Sequence, residues 1–351
     1  MCGIFGYIGI DNKSIIKTIR GLKDLEYRGY DSWGIAVKTT DDIFIKKAVG
    51  KISTISEEDF KTIFGTVSLG HTRWATHGGV SFNNAHPHLN RDKSIVVVHN
   101  GIIENHDTLR DEIKDQFGNA VFRSETDTEV IPLLIDLFME RGLSFEKAFI
   151  RTSRKLKGRF AFAALCKNEP FILAARSGSP LTLGIGAEEY FIASDTPAFL
   201  DYTNTVYFFD NGEYAKISPK NALFFNLASG KLVEKKRETI TWEKESASKG
   251  GYAHFMSKEI MDQRGLIEDT VRLGASSVTR TVKILKKATT VFFTAMGTAA
   301  HMGMAGEYIF SRIAKKSARL VYAAEFDKIL PFINKKSVVC GISQSGETAD
   351  L

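Results

Sequence analysis

Met1-Cys2-Gly3-Ile4-Phe5-Gly6-Tyr7-Ile8 opens the chain. Its β-branched and aromatic residues, punctuated by glycines, predict a strand over 4–8 with a cysteine just ahead of it. The segment lacks the basic start and long apolar stretch of a secretory signal, so the mature chain is expected to begin essentially here. A small residue after the initiator favours removal of Met1, which would leave Cys2 with a free α-amino group. Such an amine has an ordinary pKa of about 7.7 to 8.0. Near neutrality part of it is unprotonated and can take the thiol proton, so nucleophile and base share one residue. Taken alone, a cysteine at position 2 is an ordinary second residue, and its surroundings must decide.

Outward from this strand, the pattern to about residue 240 is many short strands with a few helices among them. Candidate strands are 35–37, 43–46, 67–70, 95–99, 160–166, 171–175, 190–193, 206–209, 214–217 and 223–226. Short Gly, Asn and Asp turns between consecutive runs predict antiparallel pairing, because a parallel pair needs a long crossover. Helices are predicted over 15–25, 109–117, 130–139 and 145–156; Leu109, Ile113 and Phe117 fall on one face of theirs. Two sheets with helices outside them give an α+β sandwich.

Composition agrees with a folded chain. The 351 residues are 43 % hydrophobic and 25 % charged, ample for a core, and the length suggests roughly two domains. With 47 basic and 41 acidic side chains the net charge is +6. The signs alternate along the chain, which argues against a nucleic-acid or membrane surface. No run approaches the roughly 20 apolar residues of a membrane helix. Three widely spaced cysteines, Cys2, Cys166 and Cys340, form neither a disulfide framework nor a paired metal motif, so a reducing, cytoplasmic setting is expected.

Polar clusters then supply a context for Cys2. Arg28-Gly29-Tyr30-Asp31-Ser32 follows a helix, and His71-Thr72-Arg73-Trp74-Ala75-Thr76-His77-Gly78 leaves a strand. An arginine fork in the latter suits a carboxylate. His86 and His88, two residues apart with no cysteine nearby, are poorly spaced for a metal, and no metal is expected. Asn100-Gly101, ending an apolar strand, can form a two-donor oxyanion hole or a simple turn. Ser124-Glu125-Thr126-Asp127-Thr128-Glu129 can cap a helix or meet a substrate ammonium.

The texture changes after residue 240. A polar linker over 243–251 and a helical run over 252–273 occupy 241–280, and a second domain is expected over 281–351. Strand 290–295, the turn Met296-Gly297-Thr298, a helix over 299–313 and apolar runs 320–323 and 338–342 read as buried parallel strands with their crossovers. The last strand leads into Ser343-Gln344-Ser345-Gly346-Glu347-Thr348. Three strands make a small core, as though the domain were cut mid-fold. Its last strand is expected to leave an apolar edge open to association.

These blocks resemble the glutamine–fructose-6-phosphate aminotransferase family, whose glutaminase half is a class II glutamine amidotransferase. The resemblance runs from Met1 to Leu351. It is carried by Cys2-Gly3-Ile4, by 25–32, 71–78 and 84–88, by Val98-His99-Asn100-Gly101-Ile102-Ile103-Glu104-Asn105, by 124–129 and by 343–350.

The resemblance implies an N-terminal-nucleophile α/β/β/α sandwich over 1–240, then a partial α/β sugar-isomerase (SIS) domain. Cys2 would attack the glutamine carboxamide, with Asn100 and Gly101 as oxyanion hole. Arg73 would clamp the substrate carboxylate, with Thr76 and His77 in the same loop and Asp127 on its ammonium. Trp74 would gate the ammonia passage, and Arg28 and His86 would support the site. Thr298, Ser343, Gln344, Ser345 and Thr348 match phosphate-binding positions, where hydroxyls and amides suit an anion. The chain departs from the family at Met296, usually cysteine, at Ala299, usually serine, and at Arg264-Gly265. The family's isomerising residues have no counterpart among these 351.

The expected activity is therefore glutamine hydrolysis, with fructose 6-phosphate as second substrate of an incomplete isomerase half and no cofactor. Expected partners are a second copy or a separate chain carrying the missing part. Two other readings stand beside it: another class II amidotransferase, which the 343–348 loop opposes, and a non-catalytic remnant, which the intact Cys2, Asn100 and Arg73 oppose.

Overall fold

The structure, a computed structural model, describes residues 2–75, 77–118, 121–241, 251–252, 255–343 and 351. Its contacts form two compact units, Met1–Ala247 and Ser248–Leu351.

The first unit is built on two antiparallel sheets. In one, the order is Glu238–Thr239, Thr205–Phe208, Thr182–Ile185, Glu189–Ala193, Gly3–Gly9, Val67–Arg73, Ser32–Lys38 and Ile43–Val49. In the other it is Leu232–Val233, Ala222–Asn226, Glu213–Ile217, Ile172–Ser177, Gly158–Cys166, Ile95–Ile103 and His88–Leu89. Strand alternation decides what packs where. Ile4, Ile8, Leu69, Val96, Val98, Ala161 and Ala163 point between the sheets and make one core. Phe5, Tyr7, Trp33 and Ile35 point outward onto Ile15, Ile19 and Leu22 of helix Ser14–Asp24. On the far side Ile95, Val97, Phe160 and Phe162 meet Leu109, Ile113, Leu134, Phe138 and Phe149 of three further helices. The layers are thus helix, sheet, sheet, helix. Each fully buried Phe or Leu contributes about 1.5–3 kcal/mol of transfer free energy. That is why strands such as Ile95-Val96-Val97-Val98, covered on both faces, read as unbroken apolar runs.

Helices begin and end close to their expected bounds: Ser14–Asp24, His106–Phe117, Val130–Glu140 and Phe145–Lys155. Strand 182–185 carries a glycine in its middle and was not foreseen; a Cβ at Gly184 would stand 2.9 Å from the Phe199 ring.

The second unit has helices Phe255–Leu273 and Ala275–Lys287, then a three-stranded parallel sheet in the order Ser317–Tyr322, Thr290–Ala295, Ser337–Ile342. Helix 275–287 was not expected, because Ser276, Ser277, Val278, Thr279, Thr281 and Val282 are weak helix formers. The helix after Gly297 is α-helical over Ala299–Ile309 and continues as a π-turn over Phe310–Ala314. Strand Ser337–Ile342 lies at the sheet edge with Val339 exposed. No helix among the described residues is long and apolar enough to cross a membrane.

Candidate active site

Cys2 stands at the threshold of the central strand Gly3–Gly9. That strand pairs with Val67–Arg73, so the loop leaving the latter meets the chain's start. The backbone N–H of Trp74 donates to Cys2 Sγ at 3.3 Å, and the thiol lies 3.5 Å from the Trp74 carbonyl. The Cys2 carbonyl accepts from Arg28 Nε and from Asn100 Nδ2, both at 3.0 Å. Burial pushes the thiol above its ordinary value; the Trp74 N–H, the terminal ammonium, Arg73 and Arg28 pull the other way.

Arg28 is itself held by Asp195, at 3.2 Å, and Asp195 also accepts from the Tyr27 hydroxyl at 2.5 Å. A glycine at 29 is required next to it, because a Cβ there would stand 2.6 Å from the Arg73 carbonyl carbon and 2.8 Å from Trp74 N.

The loop after Arg73 is tied down at several points. Arg73 donates to the carbonyls of Gly79 at 3.0 Å, Gly78 at 3.0 Å and His77 at 2.5 Å. Asp31 accepts from Ala75 N at 2.9 Å, Asn84 donates to the Gly79 carbonyl at 3.0 Å, and the Tyr30 ring meets Trp74 edge-on. Trp74 is exposed, while His77 packs edge-on against His106. The guanidinium read as a carboxylate clamp is here the hub of its own loop. Thr76 lies outside the described residues.

Asn100 and Gly101 sit on strand Ile95–Ile103. Gly101 has φ of 119°, a conformation that excludes a side chain, and a Cβ there would collide with the Arg159 carbonyl. Two residues on, Ile103 N donates to Asp127 Oδ2 at 2.7 Å. Asp127 thus braces the strand of the oxyanion candidates rather than capping its own turn, whose N-cap Thr126 also makes no side-chain cap bond. Glu129 instead accepts from the N–H groups of Arg123 and Ser124 and from the Ser124 hydroxyl.

Behind Asn100 four buried histidines are packed together. His71 stacks on His86 with centroids 3.9 Å apart, and His86 meets His88 edge-on at 4.7 Å. The Thr128 hydroxyl lies 3.0 Å from His86 Nε2 and 2.8 Å from His99 Nδ1; Thr126 reaches His88 Nε2 at 3.0 Å. Burial pushes all four down, His86 and His88 well down and His71 to about 3, which favours the neutral ring. His71, His99, Thr128, Asp31, Asn84 and Asp195 had no assigned role in the sequence. All but Asp195 lie in or beside the quoted blocks, whereas Asp195 has no local signal and is brought to Arg28 by folding alone.

In the second unit Ala295 pairs with Ile342 across two parallel strands, so Met296-Gly297-Thr298 and Ser343 leave the same end of the sheet. Ligand sites of parallel sheets gather at that end. Thr298 is the exposed N-cap residue of helix 299–309, without a side-chain cap bond. Gln344, Ser345 and Thr348 lie outside the described residues.

A cysteine ahead of a central strand, flanked by paired antiparallel sheets, defines an N-terminal-nucleophile fold. Residues 56–222 match the glutamine amidotransferase domain family and residues 284–351 the SIS domain family. By sequence the chain is similar to the glutamine–fructose-6-phosphate aminotransferases. It is 42 % identical over its whole length to the enzyme so named from Thermococcus kodakarensis, and 42 % identical to that from Aquifex aeolicus. The chain spans 58 % of the length of each. The glutamine phosphoribosylpyrophosphate amidotransferase of B. subtilis, solved with ADP and GMP, shares the fold: TM-score 0.57 at 24 % identity, over 65 % of this chain and 50 % of that one.

Proposed function

We propose that the chain is a cytoplasmic glutamine amidotransferase that hydrolyses glutamine to glutamate and ammonia on Cys2. The observation that carries this reading is the meeting of the thiol, the Trp74 N–H and the Asn100 amide around one residue. With Met1 removed, the α-amino group of Cys2 takes the thiol proton, which the upward push of burial on that thiol makes necessary. The thiolate attacks the side-chain carboxamide of glutamine. The tetrahedral oxyanion is stabilised by Asn100 Nδ2 and the Gly101 N–H. Collapse breaks the C–N bond, and the α-ammonium returns its proton to the leaving ammonia. Water then cleaves the γ-glutamyl thioester to glutamate and restores the thiol.

Arg73 and Asp127 serve the carboxylate and ammonium of glutamine, with Thr76 and His77 in the closing loop, while Arg28 and His86 position the strand and loop around them. Trp74, exposed at the loop, gates the ammonia. The names of the relatives support fructose 6-phosphate as acceptor, with Thr298, Ser343, Gln344, Ser345 and Thr348 as the phosphate cradle and glucosamine 6-phosphate as product. The glutaminase unit spans 1–240 and the sugar-isomerase unit 281–351; the acceptor reaction needs a partner, either a second copy or a chain bearing the isomerising residues.

One assay on the purified chain tests this: glutamate release from glutamine, and amino sugar formed when fructose 6-phosphate is added. Glutamate without amino sugar is the expected result. Absence of both would favour a non-catalytic or partner-dependent protein.

A further inference from the structure

Away from the Cys2 site, a cavity of about 250 Å³ opens beside strand Ile43–Val49, at the edge of the first sheet. Its cations are Lys47, Lys93 and Arg123, and its one acid is Glu129. Both Glu129 oxygens are already taken by the N–H groups of Arg123 and Ser124 and by the Ser124 hydroxyl. Lys47 Nζ reaches two carbonyls at long range, Pro87 at 3.3 Å and Asn83 at 3.5 Å, and lies 5.5 Å from the centre of the Phe82 ring. Among the described residues no carboxylate pairs with the side chain of Lys47, Lys93 or Arg123. A partly buried ammonium with carbonyl and ring contacts but no paired carboxylate is under-compensated. Burial accordingly pulls Lys47 down to about 8 even though Glu129 draws it up. The rest of the wall is apolar: Ile45, Phe82, Pro87 and Leu89, with Phe82 59 % exposed at its rim.

Three cations against one carboxylate leave a net charge of +2 and call for a dianion, since a single carboxylate would leave one of them unmatched. A phosphate monoester is close to a dianion at neutral pH, its second pKa being about 6, and its oxygens suit both an arginine fork and lysine ammoniums. We propose that this cavity binds a phosphate monoester, the phosphate on Lys47, Lys93 and Arg123 and the organic body against Phe82, Pro87 and Leu89. The ligand would join the edge strand, the 82–89 segment that carries His86 and His88, and the 123–129 turn whose Thr126 and Thr128 bond them. The site is independent of the glutamine chemistry and of the phosphate cradle proposed in the second unit.

Footprinting Lys47 separates it from that cradle. The full chain is acetylated with acetic anhydride at about pH 8, and the rate at Lys47 is read by mass spectrometry with phenyl phosphate, inorganic phosphate or benzoate present. Phenyl phosphate should slow acetylation of Lys47 saturably and at least tenfold, at lower concentration than inorganic phosphate, with benzoate weakest. Arg123→Gln, an exposed side chain whose backbone bonds to Glu129 persist, should raise the protecting concentration at least tenfold and leave lysines outside the cavity unchanged. Equal protection by inorganic phosphate would overturn the monoester assignment. A Lys47 rate insensitive to phenyl phosphate, including one where phosphate binds only elsewhere on the chain, would overturn the site.

Discussion

His71 Nε2 lies 2.9 Å from the His99 carbonyl and 3.1 Å from Asn100 Oδ1, and Asn100 Nδ2 lies 3.0 Å from the Cys2 carbonyl. Both outer carbonyls can only accept, so the sense of the chain is fixed: His71 carries its proton on Nε2, and the Asn100 amide turns its NH₂ towards Cys2. A neutral imidazole thus selects one flip of the Asn100 amide, the group proposed for the oxyanion hole. Replacing His71 by phenylalanine keeps the ring stacked on His86 but removes the donor. Glutamine turnover should fall about ten- to a hundredfold, part of the 10²–10³ that a whole oxyanion donor is worth, with KM nearly unchanged. His71→Gln restores an N–H near that position and should recover much of kcat. Equal loss in both variants would leave His71 a packing residue only.

Gly101 meets the opposite wall. Its φ of 119° and the Arg159 carbonyl behind it leave no room for a methyl group. Gly101→Ala should lower stability by more than the roughly 1–3 kcal/mol of the backbone strain alone, and it should displace the N–H proposed for the oxyanion. Thermal unfolding and glutaminase kinetics on the same sample check both; a variant with unchanged Tm would contradict the steric account.

Arg73→Lys retains the charge but loses the fork that reaches the carbonyls of His77, Gly78 and Gly79. The KM for glutamine should rise about tenfold or more, since the missing bonds are charge-assisted and worth about 1.5–3 kcal/mol each. Proteolysis within 77–79 should accelerate in the same variant. An unchanged KM would remove Arg73 from the carboxylate site.

The histidine cluster makes the first unit acid-sensitive. His71, His86, His88 and His99 are pushed down by burial, so below about pH 6.5 the unfolded chain binds protons that the folded chain refuses. Stability attributable to these groups is present above that pH and declines as the pH falls towards about 3, the folded value of His71. Each such proton steepens the dependence by about 1.4 kcal/mol per pH unit. Calorimetry between pH 7 and 5 should show Tm falling with acid, and His88→Gln should flatten the slope. A Tm independent of pH over that range would contradict neutral burial.

What could be read from the sequence was what local pattern controls. Strands such as 4–8 and 95–99 and helix 109–117 announced themselves because alternation and i, i+4 spacing reflect which side chains are buried. Strand order did not: Gly3–Gly9 lies between Val67–Arg73 and Glu189–Ala193, partners far away in the chain. Two-residue strands such as His88–Leu89 carry too little pattern to show. At the site, Cys2, Arg73, Asn100 and Gly101 were visible as residue types suited to a reaction. Their supports were not, because Asp195 beneath Arg28 and Thr128 between two histidines act through distance in space. Asp127 shows the limit most clearly, since nothing in its own segment announced its bond to the Ile103 N–H.

The central claim is that Cys2, and neither Cys166 nor Cys340, is the nucleophile; all three are free thiols. A glutamine analogue bearing a diazoketone in place of the carboxamide tests it directly. The account predicts one covalent adduct, on the peptide beginning with Cys2 after loss of Met1, prevented by excess glutamine and absent from Cys2→Ser. An adduct on Cys166 or Cys340, or labelling of Cys2 that glutamine does not prevent, would contradict it.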